Sequence, residues 1–322
     1  MSAQPKLDNV LLVPVYQRIK KTFAQAKAEN LCLFAKRYFA SSSRTELAKF
    51  TEQEIFDSVV DAWKFIQERK TSTPKIQFVQ RRLDKDQTRQ SGTSIYILVD
   101  DMPFLVDSIR QGLNRAGAII RNVNNAVIQV ERVAKGRATA GKLKSISPTK
   151  NPTSKAEAIS CINCASISEF QSRIIEKEIR DTLKHVAIAV KDFKGMCNKA
   201  AEVRETLMAN AKSLPVSNEE IKESSAFLAW LIDNHFTFLG YEEYKVKKPK
   251  SGAVIELQKQ SLLGISKYKS GLKPKAALKD LSKGIGDLIL KKQICNFAKS
   301  GTRSKVHRPA YYDYVIVKEF DG

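Results

Sequence analysis

The chain has 322 residues, of which 43% are hydrophobic and 28% charged, and its formal net charge is +21. This composition excludes a disordered tail, and the length allows two or three modest domains with cores of their own. No apolar run has the length of a membrane span, and the first residues lack the pattern of a signal peptide. We therefore expect a cytoplasmic protein with no membrane partner.

Residues 1–73 are predicted to be a helical lead-in. Thr51 and Glu54 form a capping box, in which a Ser or Thr precedes a Glu by three positions at the start of a helix. The apolar residues that follow recur every three or four positions, the period of a helix face that packs on a core. They are Ile55, Val59, Trp63 and Ile66. Pro74 is expected to end this lead-in.

Residues 74–213 are predicted to form an α+β domain. Asp100, Asp101 and Pro103 follow an apolar strand and indicate the start of a helix, which Gly117 ends. The remaining predicted elements are strands over 75–83, 94–99, 119–123, 126–133 and 158–165, a tight turn at Asn124 and Asn125, and a helix that begins at Ser168. This order favours a layer sandwich of helices on an antiparallel sheet.

Residues 214–322 are predicted to form a second α+β domain. Ser217 and Glu220 form another capping box, and an apolar helix follows. Strand-like segments recur at 235–246, 253–257, 288–295 and 311–320. The chain ends directly after the last of these strands, which leaves open that this domain is incomplete or that the chain is a degenerate truncated remnant.

Two segments carry most of the excess positive charge. Residues 134–156 contain six basic and no acidic residues, and their Gly, Ser, Thr and Pro content predicts an exposed loop. Residues 245–305 contain sixteen basic residues, nearly all Lys, against three acidic ones. Arginine is the side chain best suited to bidentate hydrogen bonds with bases and phosphates. Its scarcity in this segment therefore favours a solvated surface over a nucleic-acid interface. A stand-alone binding module for RNA or an acidic partner remains the competing hypothesis.

The sequence shows no pattern of catalytic or metal-binding residues. Gly284 and Gly286 lack the third glycine of a dinucleotide-binding loop, and the three His residues are isolated from one another. Cys161 and Cys164 form a lone CxxC motif without a second pair, so we interpret them as a buried pair and not a zinc site. No catalytic, cofactor-binding or metal residues are predicted.

The segment DDMPFLVDSIRQGLNRAGAII (100–120) resembles the strand–loop–helix of ACT domains, the ferredoxin-like modules that sense amino acids. FLAWLIDNHFTFLGYEEY (227–244) and SKVHRPAYYDYVIVKEFD (304–321) resemble, in the same order, the amino-terminal part of the large NAD-specific glutamate dehydrogenases. The resemblance implies two tandem ACT-like domains behind the lead-in. It also implies that the catalytic residues and the NAD site belong to a later part of a very long polypeptide.

The resemblance further implies a regulatory or oligomerisation segment that is not catalytic by itself. Its expected partners are the remainder of the dehydrogenase polypeptide, further copies in a homo-oligomer, and an amino-acid effector; nucleic acid is not the favoured partner. The expected effector-binding or interface residues are Asp100, Asp101, Met102, Phe104 and Val106. Phe104 stands where ligand-binding ACT domains have glycine, so packing between domains or subunits is an equal alternative for this loop.

Overall fold

The structure is a computed structural model that describes residues 10–70, 73–81, 91–135, 138–247, 252–269, 271–281 and 283–320. The chain divides into two compact units, Met1–Leu183 and Lys184–Gly322. Each unit is described by itself.

The first unit begins with four helices. Their bounds are α1 Val13–Thr22, α2 Gln25–Tyr38, α3 Arg44–Leu47 and α4 Glu52–Ile66. The predicted capping box is present, because the Thr51 hydroxyl accepts from the Glu54 N–H and the Glu54 carboxylate accepts from the Thr51 N–H. The apolar face predicted for this segment is buried, with Val59 and Ile66 completely inaccessible to solvent.

A six-stranded sheet follows these helices. The strands are β1 Glu68–Lys70, β2 Lys75–Arg81, β3 Gly92–Asp100, β4 Ile120–Lys135, β5 Ala138–Ser147 and β6 Lys155–Ala165, in the order β1-β5-β4-β6-β3-β2. Helix α5 Leu105–Arg115 lies between β3 and β4 in the chain, and helix α6 Glu169–Ala209 follows β6. Every pairing in this sheet is antiparallel. The predicted α+β fold class is confirmed. With β5 inserted between β4 and β6, the elements β3, α5, β4, β6 and α6 follow the first five elements of the ferredoxin-like pattern.

Both faces of the sheet are covered by helices. Successive side chains of a strand point to opposite faces, so alternate residues of β3 pack against different layers. Tyr96 and Leu98 of β3 belong to one core with α1, α2 and α4. Ile95 and Ile97 point to the other face and are fully buried. Helices α5 and α6 lie on that side and contact each other, where Arg115 pairs with Glu178 at 2.9 Å. The loop between β3 and α5 therefore lies at an end of the sheet, between two packed layers.

The turn predicted at Asn124 and Asn125 is wrong. Both residues lie inside the continuous strand β4 and pair with Cys161 and Ser160 of β6. The Ser160 hydroxyl donates to Asn125 Oδ1 at 3.0 Å, so a neighbouring strand satisfies a side chain that would otherwise favour a turn. Tertiary pairing here overrides local propensity.

The exposed loop predicted over 134–156 is also wrong for much of its length, because β5 occupies Ala138–Ser147. Ile146 of β5 is buried in the core with the lead-in helices, and Leu143 packs against that core. These two apolar side chains give the strand a reason to form. Because the residues around them are basic or small, the sequence alone does not indicate a strand here.

Helix α5 begins at Leu105, later than the start predicted at Asp100–Pro103. Pro103 lies in a turn before the helix, and Phe104 at the N-cap has a left-handed backbone with φ of 69° and no side-chain cap. The predicted acidic cap is therefore absent from this helix start. Gly117, with φ of 78°, follows the helix, as predicted.

The described residues of the second unit contain the rest of α6 and three small antiparallel sheets. Its other helices are α7 Asn218–Trp230 and α8 Lys283–Leu290. Its strands are β7 Gly240–Tyr241, β8 Tyr244–Lys247, β9 Val254–Leu257, β10 Leu263–Gly264, β11 Lys275–Ala277, β12 Cys295–Arg303 and β13 Tyr311–Val317. They pair as β10-β7, β11-β9-β8 and β12-β13. That this unit is a second ACT-like domain stays a prediction.

The two ends of α7 differ in their agreement with the sequence. Ser217 caps the helix by accepting from the Glu220 N–H, which is one half of the predicted capping box, whereas the Glu220 carboxylate accepts from the Ile294 N–H at 2.7 Å. The chain then kinks at Asp233 and Asn234, whose backbones are not helical, and Asn234 has a left-handed φ of 59°.

The strand predicted at 288–295 is wrong, because helix α8 extends to Leu290. Ile289 therefore lies in the helix and Ile294 beyond its end, and their side chains pack in two different hydrophobic clusters.

Candidate functional site

A cavity of about 240 Å³ lies in the first unit, where β3 ends and the chain turns into α5. Four of the five residues predicted for this loop line it, namely Asp101, Met102, Phe104 and Val106. Leu105, Asn125 and Ala158, for which no role was predicted, also contribute to the lining. The fifth predicted residue, Asp100, does not contribute to this lining.

The elements of the sheet explain why these residues converge. The Asp101 N–H donates to the carbonyl oxygen of Ala156 at 3.1 Å, which extends the pairing between β3 and β6 by one residue. The Ser108 N–H donates to the Phe104 carbonyl at 3.1 Å and closes the first turn of α5. Ala158 of β6 lies opposite Val99 of β3, beside the loop. The cavity thus lies between two strand ends and a helix start.

Asn125 reaches this cavity from the neighbouring strand β4. Its side-chain oxygen accepts from Ser160 Oγ at 3.0 Å, and its backbone oxygen accepts from Ser41 Oγ at 2.9 Å. These two contacts fix the orientation of the residue. Only its position in the sheet brings it beside Asp101, because 23 residues and a helix separate the two in the sequence.

The charge of the cavity is acidic. Asp101 and Asp107 are in its lining, and no Lys or Arg is among the lining residues in the described part of the chain. Burial raises the pKa of Asp101, and a hydrogen bond from the Met102 N–H opposes that rise. A bound ammonium group would stabilise the ionised carboxylates, and the backbone N–H groups at the start of α5 are suited to an anionic group.

Asp100 points to the other face of the sheet, where it belongs to a cluster of charged side chains. Arg69 Nη1 lies 2.5 Å from Asp100 Oδ1, and Lys155 Nζ lies 2.7 Å from Asp100 Oδ2. Burial acts to raise the pKa of Asp100, but hydrogen bonds from Lys155 and Arg69 hold it below its usual value. Asp100 is therefore a structural residue of the strand end and not part of the cavity.

The same cluster continues through Glu157, a carboxylate that is only 2% exposed. Its two oxygens contact Arg69 Nη1 at 3.0 Å and Arg132 Nη2 at 2.7 Å. A buried carboxylate requires such partners because its desolvation is costly. None of these three residues was predicted from the sequence, because Arg69 lies among other charged residues and the other two are charged residues of partly apolar strands.

The cluster also connects to the C-terminal end of α4. Arg132 Nη2 donates to the Ile66 carbonyl at 3.0 Å, and Lys75 Nζ donates to the carbonyls of Phe65 and Glu68. Cations at this end complement the helix dipole and satisfy carbonyls that lack partners within the helix. Strand β3, which ends just before Asp101, is thereby joined to the end of α4 through a chain of charged contacts that runs from Asp100 to Arg132.

The other residues that the sequence singled out are placed apart from this cavity. Cys161 and Cys164 are buried in β6, and burial raises the pKa of both thiols. Gly284 and Gly286 lie inside α8 and not in a loop between a strand and a helix. All strand pairings in the described residues are antiparallel, so this part of the chain lacks the parallel unit that holds a dinucleotide.

Neither a metal-binding group of side chains nor a membrane-spanning helix is found among the described residues. They contain no group of three or more His, Cys, Asp or Glu side chains arranged to hold a metal ion. They also contain no helix with the length and apolar character needed to cross a bilayer.

The comparisons with known proteins agree with one another. Residues 34–179 match the family model of the ACT1 domain of glutamate dehydrogenase, which extends from α2 into α6. The chain is 34% identical to the NAD-specific glutamate dehydrogenase of Pseudomonas aeruginosa over 300 residues, 91% of this chain and 18% of that protein. It is 28% identical to the NAD-specific glutamate dehydrogenase of Halomonas elongata over 318 residues, 99% of this chain and 19% of that protein. The chain thus spans less than a fifth of these relatives, and no solved structure matches it.

Proposed function

The chain belongs to the amino-terminal region of the NAD-specific glutamate dehydrogenase family, and from this premise we propose that it is a regulatory and assembly segment. The observation that carries the proposal is the cavity at the β3–α5 loop, which lies inside the residues that match the ACT1 domain. In this proposal the segment binds an effector and biases the oligomer of a longer dehydrogenase. The segment itself performs no chemistry.

The proposed effector is an amino acid. Asp101 is the partner of its ammonium group, and the backbone N–H groups at the start of α5 receive its carboxylate. Asp107 adds negative charge, so amino acids with acidic side chains are expected to bind least. Phe104 and Val106 provide the apolar contacts and limit the size of the side chain that the cavity accepts.

An effector changes an assembly only if it binds two states with different affinity. The charged cluster offers a physical route for such a difference. A ligand that draws Asp101 toward the cavity acts on the adjacent Asp100, whose partner Arg69 is held against Glu157. The expected response is a shift of the lead-in helices relative to the sheet within the first unit.

The NAD site, the oxidative deamination of L-glutamate and its catalytic residues are assigned in this proposal to other parts of a longer enzyme. The proposed partners are the remainder of such a polypeptide and further copies of it. The proposed location is the cytoplasm, in keeping with free Cys residues throughout the described chain.

The competing function, a basic module for RNA or another polyanion, is favoured by the Lys-rich segment alone. Several of its Lys residues are paired, as Lys247 is with Glu256 and Lys267 with Asp192. A polyanion complex would weaken steeply with added salt, because bound counterions are released. Salt-dependent retention of generic RNA by the chain would support this function over the proposed one.

Sedimentation velocity of the 322-residue chain tests the proposal. We expect an equimolar mixture of the twenty L-amino acids to change the sedimentation coefficient, and Asp101→Asn to abolish the change. Asp57→Asn is the matched control, because Asp57 is an exposed carboxylate on α4 that contacts only Gln53 among the hydrogen bonds described. An identical sedimentation coefficient with and without the mixture would contradict the assembly role.

A further inference from the structure

One edge of β4 has no partner strand along its first part. The pairing of β4 with β5 runs from Gln129 to Lys135, whereas its pairing with β6 runs from Ile120 to Val130. Between Ile120 and Ile128, the side of β4 opposite β6 therefore lacks a paired strand in the described residues. An open edge of this length is a template for the addition of another strand.

The register determines which backbone groups face this open edge. The Asp101 N–H donates to the Ala156 carbonyl, so the even-numbered residues of β6 bond to β3 and the odd-numbered ones to β4. Asn125 lies opposite Ser160, an even-numbered residue, and its backbone N–H and C=O thus point away from β6. Val127, two residues further along, does the same. The open edge therefore presents the backbone groups of every second residue.

A segment of the lead-in crosses this edge. Residues 40–42, here called the strap, lie between α2 and α3. The Ser41 hydroxyl donates to the Asn125 carbonyl oxygen at 2.9 Å. A side chain of the strap thus occupies the acceptor to which the backbone N–H of an added strand would bond.

Both ends of the strap are fixed, but its middle is held weakly. At one end Phe39 is buried in the core of the lead-in helices, and at the other Ser43 caps α3. The Ser42 hydroxyl lies 3.5 Å from Asn124 Oδ1, at the limit of a hydrogen bond. Asn124 Nδ2 is buried and lacks a hydrogen-bond partner in the described part of the chain, which costs free energy. The bond from Ser41 is therefore the main attachment of the strap to β4.

We propose that the strap is an autoinhibitory cover that keeps β4 from pairing with β4 of a second copy of the chain. Charge favours this occupant. Copies of a chain with a net charge of +21 repel each other, but residues 120–128 contain a single charged side chain, Arg121. Val127 on this edge and Ile119 just before β4 are 42% and 70% exposed, so pairing would also cover apolar surface.

The strap also connects the cavity at the β3–α5 loop to assembly, a step that rests on the proposed function. Asn125 is in the lining of that cavity, and its carbonyl is the group that Ser41 holds. A ligand that shifts the Asn125 backbone weakens this bond and favours the state with an uncovered edge. Effector binding and strand pairing are thereby coupled through one hydrogen bond.

Sedimentation velocity of the 322-residue chain over a dilution series, without any amino acid, tests the strap. A symmetric dimer opens two straps, and each typical hydrogen bond that no longer has to break is worth about fivefold. We therefore expect Ser41→Ala to raise the dimer association constant by about 25-fold. Ser41→Thr keeps the hydroxyl and is expected to match the wild-type chain. The control is Ser172→Ala, which removes a hydroxyl-to-carbonyl hydrogen bond in α6 and is expected to have no effect.

Val127→Lys in the Ser41→Ala background tests the location of the new contact. The Val127 side chain is exposed, so the fold accepts the change, and a Lys on an open edge opposes the addition of a strand. We expect this second change to return the association constant to the wild-type value. Asp101→Asn in the same background is expected to leave the association unchanged, because no ligand is present.

Two results would overturn the inference. One is Ser41→Ala associating no more tightly than Ser172→Ala. The other is an increase in association that persists with Val127→Lys, which would place the contact on another surface. If Ser41→Ala associates as expected but amino acids leave the sedimentation coefficient of the wild-type chain unchanged, the strap stands and the proposed effector site fails.

Discussion

Asp100 and Asp101 are neighbours in the sequence and point to opposite faces of the sheet. Asp101 lines the cavity at the start of α5, whereas Asp100 pairs with Arg69 and Lys155 on the side of the lead-in helices. The alternation of side chains along β3 is the cause. Two adjacent carboxylates therefore have different roles, one suited to a ligand and one to structure.

The buried carboxylate of Glu157 is predicted to be the largest single electrostatic contribution to the first unit. Glu157→Gln leaves Arg69 and Arg132 without their shared anion, and we expect a loss of about 3–5 kcal/mol in the free energy of unfolding. Urea denaturation measures it. Glu169→Gln is the control, since its pair with Arg173 is exposed on both sides, and an equal loss in both variants would refute the distinction.

The contribution of Asp100 is predicted to depend on pH. Its folded-state pKa is lowered, so the stabilisation is full above the unfolded pKa of about 4 and is lost as pH falls through the folded value. Asp100→Asn is expected to cost about 1–2 kcal/mol at pH 7. Urea midpoints at pH 7 and pH 3 should show this difference shrinking, and a constant difference would contradict the assignment.

Asp101 is predicted to behave in the opposite way. Burial raises its folded-state pKa, so the ionised side chain disfavours folding once the pH exceeds the unfolded value. Asp101→Asn should therefore leave the free energy of unfolding at pH 7 unchanged or raised. The same urea titrations measure it, and a loss as large as that of Asp100→Asn would show that Asp101 also has a structural partner.

The left-handed backbone of Phe104 is predicted to be strained, because a side chain at φ of 69° crowds the following carbonyl. Phe104→Gly and Phe104→Ala both remove the ring, but only glycine relieves the strain. We expect the glycine variant to be more stable than the alanine variant by about 1 kcal/mol. Thermal unfolding compares the two, and equal stability would show that the surroundings absorb the strain.

Gly264 in the second unit is predicted to tolerate no side chain. A Cβ added there would lie 2.2 Å from the Leu239 carbonyl oxygen, and φ is already 58°. Gly264→Ala is expected to lower the free energy of unfolding by about 2 kcal/mol or more. The matched control is Gly284→Ala in α8, where nothing lies within 4 Å of the added Cβ and alanine favours the helix.

Trp230 fluorescence in the Trp63→Phe background follows the unfolding of both glycine variants. A similar midpoint for Gly264→Ala and Gly284→Ala would contradict the close approach of the backbone at Gly264.

The sequence predicted the elements whose signals are local. The capping contacts of Thr51 and Ser217 and the end of α5 near Gly117 depend on residues within one turn, and they are present. The α+β class followed from the order of such elements. The loop residues Asp101, Met102, Phe104 and Val106 converge on one cavity because they are close in the chain.

The features that the sequence did not predict depend on distant partners. Asn125 has the local propensity of a turn residue, but it lies in a strand where Ser160 of the neighbouring strand donates a hydrogen bond to its side chain. The residues of β5 have the composition of a basic loop, but they form a strand in which Ile146 packs in the core with the lead-in helices. Arg69 and Glu157 are 88 positions apart, and no local pattern relates them. Pairing between strands, and not propensity, determines each of these.

Calorimetric titration of the 322-residue chain with individual L-amino acids tests the central claim most directly, because it asks whether the β3–α5 loop is a ligand site at all. We predict saturable heat for at least one neutral or basic amino acid and the weakest heat for aspartate and glutamate. We also predict that Asp101→Asn removes this heat while Trp230→Ala does not. No heat for any amino acid at millimolar concentration, or heat that Asp101→Asn leaves unchanged for every amino acid, would contradict an effector site at this loop.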